Sequence, residues 1–367
     1  MLILLNALQA GNLSGTGRYV AELARRLPGL SRDMNCLVAW PKHIPAPHFA
    51  DGAETSLRLM EARGSYMRIF QDQCGIRFLR RREKADVIHF PASVGPLFPM
   101  SGVALTVHDL SFMRNPLWFR ADRAAYYRWT VGHSIGLASR IIADSHATAA
   151  DLHEFFDVPM NRVDVVPLGV GEEFHPATQE QQATARAWYK LPESFFLYVG
   201  TIEPRKNIVT LIEAWNRIAA KCECDLVIAG RWGWKYKSIR TAAAASPYSK
   251  RIHFPGFIGP EDLPSVLSAA SAFVWPSLYE GFGLPPLEAM ACGAPVVTSN
   301  VSSIPEVVGA AALQVDPNDT DALADALSRI ETDSALRASL RDRGLARAAT
   351  FTWERTARLT FDSYRAI

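Results

Sequence analysis

Nowhere in the chain do about 20 apolar residues run together, so no segment has the length to cross a bilayer as a helix. An excess of one charge is missing too: 39 Lys and Arg stand against 37 Asp and Glu, a net charge of +2. Gripping a nucleic-acid backbone wants a clear basic surplus, so that partner class is excluded. Only five cysteines occur, Cys36, Cys74, Cys222, Cys224 and Cys292, an odd number and too few for a disulfide framework. A reducing compartment follows. Cys222 and Cys224 flank Glu223, but no second pair comes after them and the nearest downstream histidine is His253, which speaks against structural zinc. The opening MLILLNALQA has no basic stretch before its apolar run and soon reaches Asn6, so it reads as a first strand and not as a secretion leader. Internal repeats and low-complexity tracts are absent as well.

What remains is an ordinary globular composition, 49% hydrophobic and 21% charged, over 367 residues. That is more chain than one hydrophobic core supports, so two domains are expected. Short apolar runs alternate with helical patterns. Leu2–Leu5, Leu37–Trp40, Val87–Phe90, Ala104–Val107, Ile141–Ala143 and Val163–Val166 read as buried parallel strands, with helices over about 57–84, 120–138 and 147–156. The pattern restarts with Phe195–Val199, Asp225–Ala229, Arg251–Phe254, Ala272–Trp275 and Pro295–Thr298, and helices are expected over 207–219, 261–270, 286–292, 319–330 and 333–346. Between the halves, Pro167–Pro192 suits a hinge with a short helix. A helix is expected after Thr352. Doubly wound α/β domains place ligand loops just after their strands, and the informative residues fall there.

Gly11 to Tyr19 follows the first strand and opens a helix. Gly15 and Gly17 allow close approach to a ligand, and a helix start offers unpaired N–H groups. The dinucleotide fingerprint is incomplete, since Val20 stands where its third glycine would fall. A substrate-lining loop and a plain turn both stay open. His108 and Asp109 follow the strand 104–107; His108 at such a strand end suits donation to substrate oxygens. The alternative is that Asp109 caps local backbone and His108 bonds within its domain. His89 ends a further strand and is a lesser candidate for the same cleft. His43, His48, His133, His146, His153 and His175 read as surface or local structure.

Arg205 and Lys206 sit at the approach to a helix start, where cations are unfavourable unless an anion neutralises them. A diphosphate fits, with Lys206 as its point charge, against two merely solvated cations. Arg231 after Gly230 is a weaker candidate of the same kind. The sharpest stretch is Tyr279-Glu280-Gly281-Phe282-Gly283-Leu284-Pro285-Pro286-Leu287-Glu288. Glu280 and Glu288 flank the glycines, and carboxylates accept well from sugar and ribose hydroxyls. The backbone of Gly281, Phe282, Gly283 and Leu284 offers N–H groups to phosphate oxygens. Asp319 and Asp321 look like an Asp-x-Asp metal site but open a helix, so both are read as caps and no metal site is assigned. Arg77, Arg80, Arg81, Arg82 and Lys84 cluster near Phe70, Ile76, Phe78 and Leu79. This cluster suits either an anionic membrane surface or a solvated helix face.

Taken in order, Thr106-Val107-His108-Asp109-Leu110-Ser111-Phe112, Val165-Val166-Pro167-Leu168-Gly169-Val170, Gly200-Thr201-Ile202-Glu203-Pro204-Arg205-Lys206-Asn207 and the Glu280 to Glu288 segment resemble the retaining glycosyltransferases of family 4. The resemblance covers essentially the whole chain. It implies the GT-B architecture: two Rossmann-like α/β domains facing across a cleft, an acceptor-side domain over 1–170 with the terminal helix 352–367 packing back on it, and a donor domain over 171–351. It further implies that Glu288 binds the ribose hydroxyls, Glu280 the donor sugar, Lys206 the diphosphate and His108 the region of the transferred sugar, with Gly15 and Gly17 near the donor phosphates. Many members carry Arg where Thr201 stands, so Arg205 or Arg231 would supply the second cation. The variant found here looks most like bacterial mannosyltransferases of surface-polysaccharide assembly such as lipopolysaccharide. That implies GDP-mannose as donor, a glycan or polyprenyl-linked oligosaccharide as acceptor, and no required cofactor. The expected location is the cytoplasm, with peripheral contact to the inner face of the plasma membrane. A nucleotide-sugar epimerase of the same architecture, or a non-catalytic sugar-nucleotide binding protein, are the competing readings.

Overall fold

The computed structural model describes residues 1–12, 15–31, 34–47 and 57–367; Leu13 and Ser14 of the glycine-rich stretch and His48 lie outside them. The chain forms two compact units. Met1–Pro116, Ala121–Gly169 and Thr352–Ile367 make the first, and Leu117–Arg120 with Val170–Phe351 the second.

In the first unit seven strands pair: β1 (Leu2–Asn6), β2 (Asn35–Pro41), β3 (Leu57–Met60), β4 (Val87–Phe90), β5 (Val103–Val107), β6 (Arg140–Ala143) and β7 (Val163–Val165). Their order is β3-β2-β1-β4-β5-β6-β7, and every pairing is parallel. The near-continuous apolar composition of the central strands follows from burial on both faces. Ile3, Leu4, Leu5, Ala104 and Leu105 have no exposed surface. The expected helix over 57–84 starts later than its pattern suggested. Leu57–Met60 is an edge strand on β2, then come helices Ser65–Phe70 and Ile76–Glu83 around a π-turn at Gln71–Gly75. An edge strand buries little on its outer side, so Arg58 within it interrupts the apolar run that marks interior strands.

The terminal helix Trp353–Tyr364 belongs to this first unit. Thr352 caps it by accepting from Arg355 N at 3.2 Å, and Thr356 Oγ1 donates to the Pro167 carbonyl at 2.8 Å. Gly169 is required here, because a Cβ would lie 2.3 Å from the Trp353 nitrogen.

The second unit holds β8 (Phe195–Val199), β9 (Asp225–Ala229), β10 (Ile252–His253), β11 (Ala272–Trp275), β12 (Val296–Ser299) and β13 (Leu313–Val315). Its sheet is again all parallel, in the order β10-β9-β8-β11-β12-β13. In both sheets the strand order reverses beside the first strand, so ligand loops are expected after β1 and β4 and after β8 and β11. The half-buried edge strand β13 and the helix Lys237–Ala245 went unread in the sequence. Among the described residues no helix is long and apolar enough to cross a membrane.

Candidate functional site

In the second unit β8 runs out at Gly200 and a single 3-10 turn, Pro204–Lys206, precedes the helix Ile208–Ile218. Asn207 makes the corner in a left-handed conformation, φ 58°, a geometry asparagine tolerates better than most residues. Its amide donates to the Pro317 carbonyl at 2.7 Å, and Thr210 Oγ1 donates to its oxygen at 2.7 Å. The adjacent cations are thereby turned inward, and Lys206 is 7% exposed. The next loop is pressed against this one. Gly230 has φ 138°, and a Cβ there would fall 1.8 Å from the Gly200 carbonyl oxygen.

The anion that these cations call for is found within the chain. Lys206 Nζ donates to Glu280 Oε1 at 2.6 Å and lies 4.5 Å from the centre of the Trp275 ring. Arg205 donates to the other oxygen of Glu280 at 3.1 Å, to the Tyr279 carbonyl at 2.8 Å and to Glu203 at 3.1 Å. Two cations and two carboxylates therefore balance. Burial works against the charge on Glu280, but Lys206 and Arg205 overcome it and hold the carboxyl down to about 2. Lys206 is pushed below the usual lysine range by burial and by Arg205, against the pull of Glu280 and Glu203. Glu203 is raised, by burial first and then by Glu280.

Glu280 is fixed at its backbone as well. Its N–H donates to Ser302 Oγ at 2.9 Å, and Ser303 Oγ bonds the carbonyls of Glu280 and Phe282 at 2.9 and 2.7 Å. Gly283 then takes φ 117° and opens the helix Leu284–Ala291, with prolines in its first turn. Glu288 lies in that helix, 6% exposed, among otherwise apolar buried residues. A carboxylate carried into such surroundings signals a polar partner. Arg231 is exposed, with its guanidinium 4.4 Å from the centre of the Phe257 ring. Leu117–Arg120 also clusters with this unit. Trp118 and Phe119 pack on Tyr279 and Trp234 with ring centroids 6.5 and 5.7 Å apart, and the Trp234 indole donates to the Trp118 carbonyl. No sequence signal had pointed to that segment.

In the first unit His108 follows β5 and Asp144 follows β6. His108 Nδ1 meets Asp144 Oδ2 at 2.7 Å and Nε2 meets the Pro91 carbonyl at 2.9 Å. Both ring nitrogens face oxygen atoms, an arrangement that an imidazolium beside an ionised Asp144 satisfies with two donated hydrogen bonds. Burial opposes this, but Asp144 outweighs it and raises the His108 pKa. Asp144 is itself raised by burial, against His108, and its Oδ1 has no hydrogen-bond partner among the described residues. Tyr19 stands edge-on to the imidazole at 5.0 Å. Asp109 accepts from Ser111 N and Oγ at 3.0 and 2.7 Å, which makes it a local cap.

His89 is not a cleft residue. It is fully buried between the Tyr364 and Thr106 hydroxyls, both at 2.7 Å, and burial pushes its pKa down to about 3. Thr106 also bonds the Tyr19 hydroxyl at 3.0 Å, so this chain of polar groups ties the terminal helix into the sheet. Gly17 has an internal use. A Cβ there would meet the Asn12 carbonyl oxygen at 1.7 Å, so the close approach of Asn12 to the helix requires a glycine. Gly15 opens that helix.

Asp319 caps the helix Thr320–Thr332 by accepting from Ala322 N at 2.9 Å. Asp321, expected as a second cap, instead pairs with Arg217 on the surface. The basic cluster divides as well. Arg80 binds the carbonyls of Ala85 and Asp86, Arg82 pairs with Glu83, and Ile76 and Leu79 point inward. Tyr66, Phe70 and Phe78 are exposed at 93%, 57% and 67%.

The model of the family described as Glycosyltransferase Family 4 matches residues 13–174, and that of Glycosyl transferases group 1 matches residues 182–347. An O-antigen chain mannosyltransferase B of Escherichia coli is 35% identical over 71% of this chain and 70% of its own. The serotype-specific mannosyltransferase WbdA of the same species is 34% identical over 62% of this chain, which spans only 29% of that longer protein. Among solved structures, sucrose-phosphate synthase of Thermosynechococcus elongatus superimposes with a TM-score of 0.76 at 24% identity, covering 100% of this chain and 98% of that one. The lipopolysaccharide glycosyltransferase WaaG does so with 0.69 at 16% identity, covering 99% of each chain. The two parallel α/β units are thus those of the GT-B fold, and the chain belongs to glycosyltransferase family 4.

Proposed function

We propose that this glycosyltransferase is a retaining mannosyltransferase that moves mannose from GDP-mannose to a glycan or lipid-linked oligosaccharide in the assembly of a bacterial surface polysaccharide. The reading rests on the buried Arg205–Lys206–Glu280 cluster, together with relatives whose names state mannosyl transfer. In it the second unit, within 171–351, binds the donor, and the first, within 1–170 with the terminal helix, serves the acceptor.

Glu280, clamped by two cations, stays ionised and is an acceptor-only group for the hydroxyls of the donor sugar. Lys206 gives one N–H to Glu280 and retains two for phosphate oxygens, while Arg231 is the second phosphate cation and Arg205 orients Glu280. Backbone N–H groups of Gly281 to Leu284 assist, and Glu288 takes the ribose diol. Gly15 and Gly17 serve the donor phosphates, and His108 supplies positive charge for the transferred sugar.

As the bond from the anomeric carbon to the phosphate oxygen breaks, charge grows on the leaving diphosphate, where Lys206 and the N–H groups stabilise it. The acceptor hydroxyl attacks the same face and its proton passes to the departing phosphate, which retains the anomeric configuration without a glycosyl-enzyme ester. With cations and backbone dipoles neutralising the diphosphate, the donor step requires no metal or other cofactor. The enzyme works in the cytoplasm. Exposed Tyr66, Phe70 and Phe78 beside Arg77, Arg81 and Lys84 suit peripheral contact with the anionic inner leaflet.

The test is a panel of GDP-, UDP- and ADP-sugars assayed for hydrolysis and transfer in excess EDTA. GDP-mannose should be consumed in preference to the others, with retention at the anomeric carbon. Preference for another donor, an inverted product or loss of activity on chelation would each contradict the corresponding part of the proposal.

A further inference from the structure

We infer that Cys222, Cys224 and Glu331 form a binding site for a thiophilic divalent cation of the zinc or cadmium class. The pair of cysteines is two residues apart and has no sequence-adjacent partner, but folding supplies one. The helix Thr320–Thr332 carries Glu331 to the turn before β9, and one ligand atom from each of the three residues lies within 4.8 Å of the other two. In a tetrahedral site with metal–sulfur bonds near ~2.3 Å and metal–oxygen bonds near ~2.1 Å, ligand atoms stand roughly 3.5–3.8 Å apart. Closing the cluster on an ion therefore needs a movement of about 1 Å or less, within side-chain rotation.

The turn is held for this purpose from two sides. On its carbonyl side Arg251 donates to the oxygens of Cys222, Glu223 and Cys224 at 2.9, 3.0 and 3.3 Å, and the Trp215 indole donates to the Cys224 oxygen at 3.1 Å. On its amide side the N–H groups of Glu223 and Cys224 donate to Glu331 Oε1 at 2.5 and 3.4 Å. Such bonds orient a carboxylate ligand without using its full acceptor capacity. Both cysteines are 5% exposed, and Glu331 is half-buried. The thiols are thus shielded from bulk solvent, while the half-buried carboxylate is reached by solvent that can supply a water as fourth ligand. Binding is coordination only: the two thiols release their protons to solvent as sulfur–metal bonds form, with no change of oxidation state.

The site lies at the start of β9, whereas Arg231 follows its end. The length of the strand separates it from the donor loops, so it acts by pinning the helix Thr320–Thr332 to the sheet. It stands apart from the mannosyltransferase reading, and its test does not use activity. Reduced full-length protein carrying Cys74→Ser, which removes the exposed thiol, is titrated with Cd²⁺ by thiolate-to-metal absorbance and with Zn²⁺ by calorimetry. One equivalent should bind with the absorbance of two thiolates, and Zn²⁺ should raise the melting temperature. Cys222→Ser and Cys224→Ser should each weaken binding by ~100-fold or more, and Glu331→Gln by at least ~10-fold. If a serine variant does not fold, Glu331→Gln decides by the same titration. Absence of stoichiometric binding, or affinity unchanged in Glu331→Gln or in the serine variants, overturns the site.

Discussion

Lys206 and Glu280 stand 74 residues apart in sequence, yet Lys206 Nζ lies 2.6 Å from Glu280 Oε1 in a buried site. The contact joins the loop after β8 to the loop after β11, the two loops that flank the reversal of strand order. A buried pair of this kind is poor value for stability alone, because desolvation of both ions offsets most of their attraction. Its worth is better sought in what the two charges do together.

Removing the ammonium should therefore be felt twice. Lys206→Ala should lower transfer by at least ~10-fold, since one phosphate contact in a closed site commonly exceeds ~1.4 kcal/mol. It also leaves Glu280 with Arg205 as its only remaining cationic partner in this cluster. Initial rates at saturating acceptor measure the effect, and unchanged rates would return Lys206 to a structural role.

Arg205 and Arg231 are expected to separate. Arg231→Ala should weaken binding of free nucleoside diphosphate by about 10-fold, the loss of one exposed charge-assisted contact. Arg205→Ala should leave that affinity nearly intact and lower the rate of transfer, because its guanidinium is committed to Glu280, Glu203 and the Tyr279 carbonyl. Calorimetry with the diphosphate beside transfer rates distinguishes the two, and the reverse pattern would exchange the assignments.

For His108 the prediction concerns pH. Its folded pKa lies above the ordinary 6.5 because Asp144 outweighs burial, so the stability it contributes is complete below 6.5 and is lost as pH rises through the higher folded value. Asp144→Asn should bring His108 to 6.5 or below by NMR titration, and cost roughly 1.5–3 kcal/mol near pH 6, shrinking at higher pH. A His108 titration that the variant leaves unmoved would contradict the imidazolium.

On anionic liposomes the exposed surface of the first unit should bind, with up to ~1 kcal/mol from each cation near the bilayer. Replacing Tyr66 and Phe70 by Ser together with Arg81→Ala should weaken sedimentation with such vesicles. Equal binding by both proteins would dismiss the membrane contact.

Much of this was legible because parallel sheets put ligand residues at strand ends. Lys206 and Glu280 follow apolar runs closed by Gly200 and Pro276, His108 directly follows β5, and Glu288 lies in the helix that the loop 281–283 opens. Glu203 and Asp144 obey the same rule, but Glu203 stands two residues from the more conspicuous Arg205 and Asp144 lies 36 residues from His108, so only distance shows either as a counter-ion. His89 misled because a strand-end histidine looks alike in sequence whether it meets a ligand or, as here, Tyr364 from the other end of the chain. The edge strands β3 and β13 lack the apolar run that interior strands carry. Glu331 and the segment Leu117–Arg120 reach their neighbours through long-range packing alone, for which no local pattern exists.

The division of labour between the two glutamates tests the account most directly. Isothermal titration with free GDP, set beside initial rates of mannosyl transfer, should be run on Glu280→Gln and Glu288→Gln. Glu288→Gln should weaken GDP itself by about one to two powers of ten, the worth of a charge-assisted bond to a buried hydroxyl. Glu280→Gln should bind GDP nearly as the natural protein does while transfer falls by at least as much, if, as proposed, its carboxylate serves the sugar and not the nucleotide. Loss of GDP affinity in Glu280→Gln with none in Glu288→Gln would reverse the roles, and unchanged transfer in both would contradict the mechanism.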